Sequence, residues 1–336
     1  MKYEEKYTIN SFDVDENNNI RPTNLINYLQ ETADHHMRDR KPSYYDFFYE
    51  GKAFVVIRML VEIYKQIHGY DKVKVRTWVL PAKGATFPRC YEILRKGQVI
   101  AAAYSEWAVG NRQTGKLCRA DEVNVGNYDM DEPVELSIPK RFRFPKDMEF
   151  QHLGERHVFY SDCDMNGHMN NANYYNMLWN YIPDIGQKEV TSINIRFNHE
   201  AFLGRDIGIQ MCRDAGKTSV DGKGEEYYGF KTDIEDKRNI ECVIGVRTIK
   251  KNYTYMLRCA DDSLYTGWTN DIEKRVESHN NGKGAKYTRN RSPVELVYLE
   301  ASDDRETAMS IEAKIKRLSK QEKEEMIESN RNLMKK

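Results

Sequence analysis

Between Ser161 and Tyr174 the chain reads SDCDMNGHMNNANY, and three side chains in it could carry acid–base chemistry. Asp164, Asn166 and His168 stand at alternate positions, so an extended segment would send all three to one face. A carboxylate, an amide and an imidazole so placed suit hydrolysis. One group moves a proton, one orients it, and one steadies a developing negative charge. The same stretch also opens like a calcium loop, with Asp162, Asp164, Asn166 and Gly167 in the order D-x-[DN]-x-[DN]-G. That reading needs a glutamate at the twelfth position, where Asn173 stands, and a helix ahead of it, where residues 154–160 alternate like a short strand.

The run Asp164-x-Asn166-x-His168, followed by Asn170-Asn171 and Tyr174, resembles the acyl-ACP thioesterases. In that family such a run opens the second of two hotdog folds. The resemblance implies that Asp164, Asn166 and His168 are catalytic and that Glu200, at the end of the next strand, completes the set. Ala201 stands where many relatives carry cysteine, which argues against a thiol role and leaves the carboxylate and imidazole in place.

These residues need a scaffold, and the chain carries it twice. Sliding the sequence by 149 positions lays Asp13 on Asp162, Asp15 on Asp164, Asn17 on Asn166, Asn24 on Asn173 and Leu29 on Leu178. After each loop comes a helical pattern: Leu25, Ile26, Leu29, Ala33 and Met37 behind Thr23 as N-cap, and Tyr174, Met177, Leu178 and Tyr181 in the second copy. Strand patterns follow at 54–63, 72–80, 86–95 and 100–109, and again at 191–197, 206–213, 225–234 and 240–248. One helix and an antiparallel sheet able to wrap it, repeated, predict an α+β chain of tandem hotdog folds. The first (residues 1–140) would bind the acyl chain, and the second (141–248) would be catalytic. His168 falls opposite Asn19 and, with Gly204 laid on Gly69, Glu200 falls opposite Lys65, so the first copy lacks the proton-transfer groups. Tyr28, Phe54, Val56, Met59, Trp78 and Phe87 of that copy read as core before pocket lining. Residues 133–145, with three prolines, read as the crossover. Their basic Lys140-Arg141-Phe142-Arg143 could meet an acidic carrier or simply face water.

Composition narrows the classes. The chain has 336 residues, with 52 basic and 52 acidic side chains in balance, which argues against a global polyanion-binding surface. Its N-terminus is charged, and no stretch is long and apolar enough to span a bilayer. Six scattered cysteines form no CxxC pair. The expectation is a cytoplasmic protein with no membrane partner.

After Thr248 the pattern changes. Tyr253–Cys259 and Leu264–Trp268 form a hairpin about Ala260-Asp261-Asp262, and Asn270 is placed to cap a helix bearing Ile272, Val276 and His279. A basic glycine-rich loop, a strand at 294–300, a helix with Ala308, Ile311, Ile315 and Leu318, and a Ser319/Glu322 capping box complete the segment. Residues 250–333 resemble a small α/β GIY-YIG nuclease-like domain, with Tyr253-Thr254-Tyr255 for GIY and Tyr265-Thr266-Gly267 for YIG. The resemblance implies a second site at Tyr255, Tyr265, Arg275, His279 and Glu312. The tyrosine would help activate water, the arginine would steady a scissile phosphate, and Glu312 would hold the metal, Mg²⁺. Residues 250–336 carry about three net positive charges, a modest lean toward nucleic acid.

The resemblances together imply a thioesterase releasing fatty acid from an acyl carrier protein's phosphopantetheine arm, with no cofactor, joined to a domain that binds or cleaves DNA or RNA. Two alternatives stand beside it: an acyl-CoA donor, and a nucleic-acid protein whose hotdog half only senses an acyl ligand. A homodimer is left open.

Overall fold

A computed structural model describes residues 2–123, 126, 128–164, 166–214, 224–249, 251–302 and 305–335. Met165, inside the Asp-x-Asn run, and Lys250, at the junction after Thr248, lie outside the described residues. The chain divides into two compact bodies, Met1–Thr248 and Ile249–Lys336.

The first body begins with β1 (Tyr3–Thr8), α1 (Pro22–Arg40) and α2 (Tyr44–Tyr49), followed by β2 (Lys52–Ile63), β3 (Lys72–Val79), β4 (Phe87–Arg95) and β5 (Gln98–Asn111). The pattern then repeats as β6 (Gln151–His157), α3 (Asn173–Trp179), β7 (Lys188–Phe197), β8 (Asp206–Arg213), β9 (Glu225–Ile234) and β10 (Lys237–Thr248). All ten strands join in one antiparallel sheet, β1-β3-β4-β5-β2-β7-β10-β9-β8-β6, whose order reads the same from either end once the copies are equated. The two halves meet where β2 pairs with β7, Arg58 opposite Arg196 and Glu62 opposite Ser192. The architecture is the expected pair of hotdog folds.

Alternation explains the sheet's two faces. Along β3, Val73, Val75 and Thr77 are buried between more open Lys72, Lys74 and Arg76. The apolar stripe of α1, Leu25, Ile26, Leu29 and Ala33, lies in one continuous core with Val75 and Tyr91 of the first copy and Leu178, Ile195 and Phe230 of the second. On another face, residues 133–145 run without helix or strand, and Val134, Leu136 and Ile138 pack on Leu60, Trp78 and Tyr104. Asn194 Nδ2 donates to Pro139 O at 2.7 Å. This crossover is therefore seated on the sheet.

Thr23 does not cap α1. Arg21 holds the N-cap position and Pro22 the first helical one, where its missing N–H costs nothing. Thr23 instead donates from Oγ1 to Ala172 O, 2.9 Å away, at the start of the other copy's helix. It is a buried bond between the repeats.

In the second body, β11 (Asn252–Cys259) pairs with β12 (Leu264–Thr269) and β13 (Val294–Ser302), with α4 (Ile272–Asn280), α5 (Arg305–Lys316) and α6 (Lys320–Ile327) beside the sheet. The cap of α4 is Asp271, not Asn270. Its carboxylate accepts from Lys274 N at 3.1 Å and adds the charge that a helix N-terminus favours. The Ser319/Glu322 capping box of α6 is present.

Replacing Thr23 by valine keeps the shape and deletes the bond between repeats. We expect a loss of about 1 kcal/mol, read as a lower denaturant midpoint at unchanged m-value. An unchanged midpoint would show that the bond contributes nothing.

Candidate functional site

Asp164, Asn166 and His168 come together, but through a turn and not an extended strand. Asp164 Oδ1 accepts from Asn166 N at 2.8 Å, Gly167 N donates to Asp164 O, and Asp164 N donates to His168 O. Gly167 has φ +83°, a left-handed conformation that glycine adopts without strain. The first copy builds the same turn. Asp15 Oδ1 accepts from Asn17 N at 2.9 Å, Asn18 N donates to Asp15 O, and Asn18 takes the left-handed position at φ +62°. The first duty of Asp15 and Asp164 is thus to hold the loop.

What differs is the side chain that the turn delivers. In the second copy the His168 ring is nearly buried, with Nδ1 3.8 Å from Asp164 and Nε2 3.5 Å from Glu200. Glu200 follows β7. The amide of Met169 donates to Ala201 O and His168 bridges to Phe202, so backbone bonds clamp the histidine loop to the segment that carries the glutamate. In the first copy the corresponding bonds are Ile20 N to Ile67 O and the bridge Asn19–His68. This register sets Gln66, not Lys65, opposite Glu200. Gln66 donates through Nε2 to Val190 O at 3.0 Å. Ala201 is buried, and its carbonyl serves the clamp.

Asp164 and Asn166 also line a cavity of about 680 Å³ that is walled mainly by the first copy, with Phe54, Phe87, Trp107 and Tyr44 among its apolar and aromatic surfaces. His168 and Glu200 are not part of its lining. Phe54 and Phe87 are therefore pocket residues, whereas Val56, Met59 and Trp78 are core, as first read. Tyr44 of α2, which the sequence did not single out, lines the same cavity as Asn166; burial raises its phenol and the Asn166 side chain opposes the rise. The amides of Ala172 and Asn173 are bound to Asn170 at 2.8 and 2.9 Å, so the start of the seven-residue α3 offers neither of them to an oxyanion. Asp162, the first ligand of a calcium loop, is held by Arg156 at 2.7 Å and by Phe159 N. Among the described residues no group of three or more His, Cys, Asp or Glu side chains converges as a metal site.

The second body brings Tyr255, Tyr265, Arg275 and His279 together. Tyr255 sits on β11 opposite Gly267 of β12, and a Cβ at Gly267 would lie 2.6 Å from the Tyr255 hydroxyl, so the glycine of the YIG position makes room for the tyrosine of the GIY position. The polar chain there has a direction. Thr288 Oγ1 donates to Ala285 O at 3.0 Å, so it accepts from His279 Nδ1 at 2.6 Å. His279 Nε2 then has a lone pair and takes the Tyr255 hydroxyl at 3.0 Å, while Arg275 Nε donates to the same phenol oxygen at 2.9 Å. Burial, then the Arg275 charge, pushes His279 down to about 4, and burial pushes Tyr255 up to about 12, so both are neutral near pH 7. Tyr265 packs its ring 5.1 Å from His279 and 6.0 Å from Tyr287. Glu312 on α5 is mostly buried, is bound by Lys316 at 2.7 Å, and its charge acts on Tyr255. Thr288 was missed because its loop reads only as basic and glycine-rich; a buried histidine in need of a second partner was the available signal.

Three family models match the chain: the acyl-ACP thioesterase N-terminal domain over residues 1–127, the acyl-ACP thioesterase C-terminal domain over 146–250, and the GIY-YIG catalytic domain over 251–325. Among solved structures, an acyl-ACP thioesterase from Bacteroides thetaiotaomicron is similar at TM-score 0.62 and 22% identity, covering 73% of this chain and 97% of that one. The 12:0-ACP thioesterase from Umbellularia californica is similar at TM-score 0.63 and 15% identity, covering 74% and 94%. At these identities the likeness speaks for the fold. The C-terminal segment is 55% identical over 78 residues to a UPF0213 protein of Clostridium perfringens, 23% of this chain and 84% of that protein. It is 52% identical over 83 residues to a UPF0213 protein of Syntrophus aciditrophicus, 24% and 95%. The chain belongs, through its first two domains in tandem, to the acyl-ACP thioesterase family, with a GIY-YIG domain fused behind them.

Proposed function

We propose that the first body hydrolyses acyl-ACP, with Asp164, Asn166, His168 and Glu200 as the catalytic set and the first copy's cavity as the acyl pocket. The observation that carries this reading is the imidazole of His168 set between two carboxylates beside an apolar cavity, in one copy of the repeat only. A water bound between His168 Nε2 and Glu200 would attack the thioester carbonyl and leave its proton on that pair. Asp164 faces the Nδ1 side and steadies the imidazolium that would form. Asn166, at the cavity wall beside Tyr44, can donate its amide hydrogens to the oxyanion. Collapse of the tetrahedral intermediate breaks the C–S bond, and the departing thiolate takes the proton back. No step in this sequence needs a cofactor. Both the match to acyl-ACP domains and the presence of two copies in one chain favour the carrier protein over acyl-CoA as donor.

The directed hydrogen-bond chain supports a second activity in the C-terminal body, cleavage of a phosphodiester in DNA or RNA. Tyr255, whose proton already points at the neutral imidazole of His279, can accept a proton from water while passing its own on. With Nε committed to Tyr255, Arg275 can turn its Nη groups, which the Tyr265 phenol also influences, toward a phosphate. Glu312, a single nearly buried carboxylate, fits Mg²⁺ that keeps most of its waters, and it would hold the ion. The ion would supply charge stabilisation of the leaving oxygen.

Thiol release from a panel of acyl-ACPs and acyl-CoAs tests the first activity. We expect turnover on acyl-ACP, with His168→Ala and Glu200→Gln each lowering kcat/KM by roughly 100-fold or more. Turnover confined to acyl-CoA would replace the donor, and none from folded protein would overturn the enzyme reading.

For the second body, an NMR titration of the histidine ring carbons should keep His279 neutral from pH 8 down to about pH 5, with protonation near 4. A neutral form held in the fold means that stability is lost as pH falls through the range between about 6.5 and 4. A ring that titrates near 6.5 would break the relay. In a nicking assay with Mg²⁺, Tyr255→Phe and Arg275→Ala should each abolish cleavage; cleavage that survives both would assign it elsewhere.

A further inference from the structure

Several charged side chains line the cavity of the first copy; Glu31, His35, Arg38, Lys41 and Asp46 are ion-paired, whereas Arg89 and Asp34 have no ion pair among the described residues. Arg89, on β4, is 5% exposed and lines the cavity. Both of its hydrogen bonds use Nη1, to His36 Nδ1 at 2.9 Å and to Thr77 Oγ1 at 3.2 Å. Among the described residues Nε and Nη2 have no acceptor and no carboxylate is in ion-pair contact with this guanidinium, although the Asp34 charge acts on it from farther away. His36 Nδ1 faces an arginine that can only donate, and its Nε2 meets the Asp129 amide at 3.2 Å and the Asp129 carboxylate at 3.3 Å. Asp129 is itself held by Arg40 at 2.8 Å. Burial, then the Arg89 charge, keeps His36 near 4 and neutral, so the imidazole does not compete with the guanidinium as a cation.

Asp34, on α1, lines the same cavity. It is solvent-accessible and is one of the residues that the cavity touches. Its carboxylate has no hydrogen bond and no ion pair among the described residues. Burial, then the Glu31 charge, lifts it to about 6, while Arg89 and His35 pull the other way, so it is ionised at neutral pH. The wall thus offers a committed donor, Arg89, and a committed acceptor, Asp34, with apolar surfaces such as Phe54 and Phe87 around them.

A methylene chain would strip both groups of water and return nothing. A carboxylate would suit Arg89 and be repelled by Asp34, and a ketone could accept but could not donate. A hydroxyl does both. We propose that this cavity selects acyl chains carrying a hydroxyl group, which accepts from Arg89 and donates to Asp34. The proposal rests on the reading of the first copy as the acyl pocket, and it names the chemical class of that chain.

The test is calorimetric binding of free fatty acids of two chain lengths to the whole protein, unsubstituted or with one hydroxyl or one keto group at successive positions. One hydroxy isomer should bind about tenfold or more tighter than the unsubstituted acid of its length. Asp34→Leu should erase or reverse that preference, and the near-isosteric Asp34→Asn, in case leucine perturbs the fold, should reduce it. Unsubstituted acids that bind as tightly as every hydroxy isomer would overturn the proposal. So would a preference unmoved by both variants, or a keto isomer that matches the hydroxyl. Thiol release from ACPs loaded with the same acids separates this from the function above. Hydrolysis without hydroxyl preference sinks the selectivity and leaves the thioesterase. Hydroxyl-selective binding without hydrolysis does the reverse.

Discussion

The pairing of β2 with β7 is the interaction on which the first body depends. A five-stranded sheet wrapped on one helix would leave β2, or in the other copy β7, as a long edge with unpaired amides and carbonyls, and such an edge templates association. Joining the two edges removes both at once and lets one apolar core run from Leu25 through to Phe230. It also locates the proposed chemistry. Glu200 lies just past the end of β7, and the His168 loop is tied to that end by the Met169–Ala201 bond. The seam that satisfies the sheet therefore sets the strand from which the glutamate reaches the imidazole.

A tandem chain can do what a dimer of identical copies cannot, which is to change one copy without the other. Both copies keep the aspartate turn, since a loop of that shape needs Asp15 or Asp164 for its backbone bonds. Past that shared turn they divide the work. The second copy has His168 and Glu200 where the first has Asn19 and Gln66. The first has a 19-residue helix against 7, together with α2, and these walls help enclose the cavity. In the proposed reading, chemistry and substrate volume fall to opposite copies of one repeat.

In the C-terminal body the organising feature is direction. Every hydrogen from Thr288 to Arg275 has only one place to go once the Ala285 carbonyl fixes the first, and the result is a phenol that donates to a neutral imidazole. The closeness of Gly267 to Tyr255 explains why that strand position carries no side chain. A pair of short motifs is in this way a steric statement about one tyrosine.

Much of this was legible in the amino acids. Alternation and helical periodicity located every long strand and α1, because burial on one face leaves a repeat of two or of 3.6 residues in the sequence. The doubling was legible too, since Asp13, Asp15, Asn24 and Leu29 recur 149 positions on, and the Asp-x-Asn-x-His run marked a candidate site by its residue types. Tertiary structure decided the rest. Spacing could not tell an extended strand from a turn at Asp164, because both put alternate residues near one another; the turn's hydrogen bonds at Asp164 and the left-handed Gly167 distinguish them. It could not place Gln66 opposite Glu200, because that register is set by backbone bonds between segments distant in sequence. Nor could it show that Thr23 serves the other copy, or that Arg89 and Asp34 share a cavity, since no local pattern records which buried side chain finds its partner across the core.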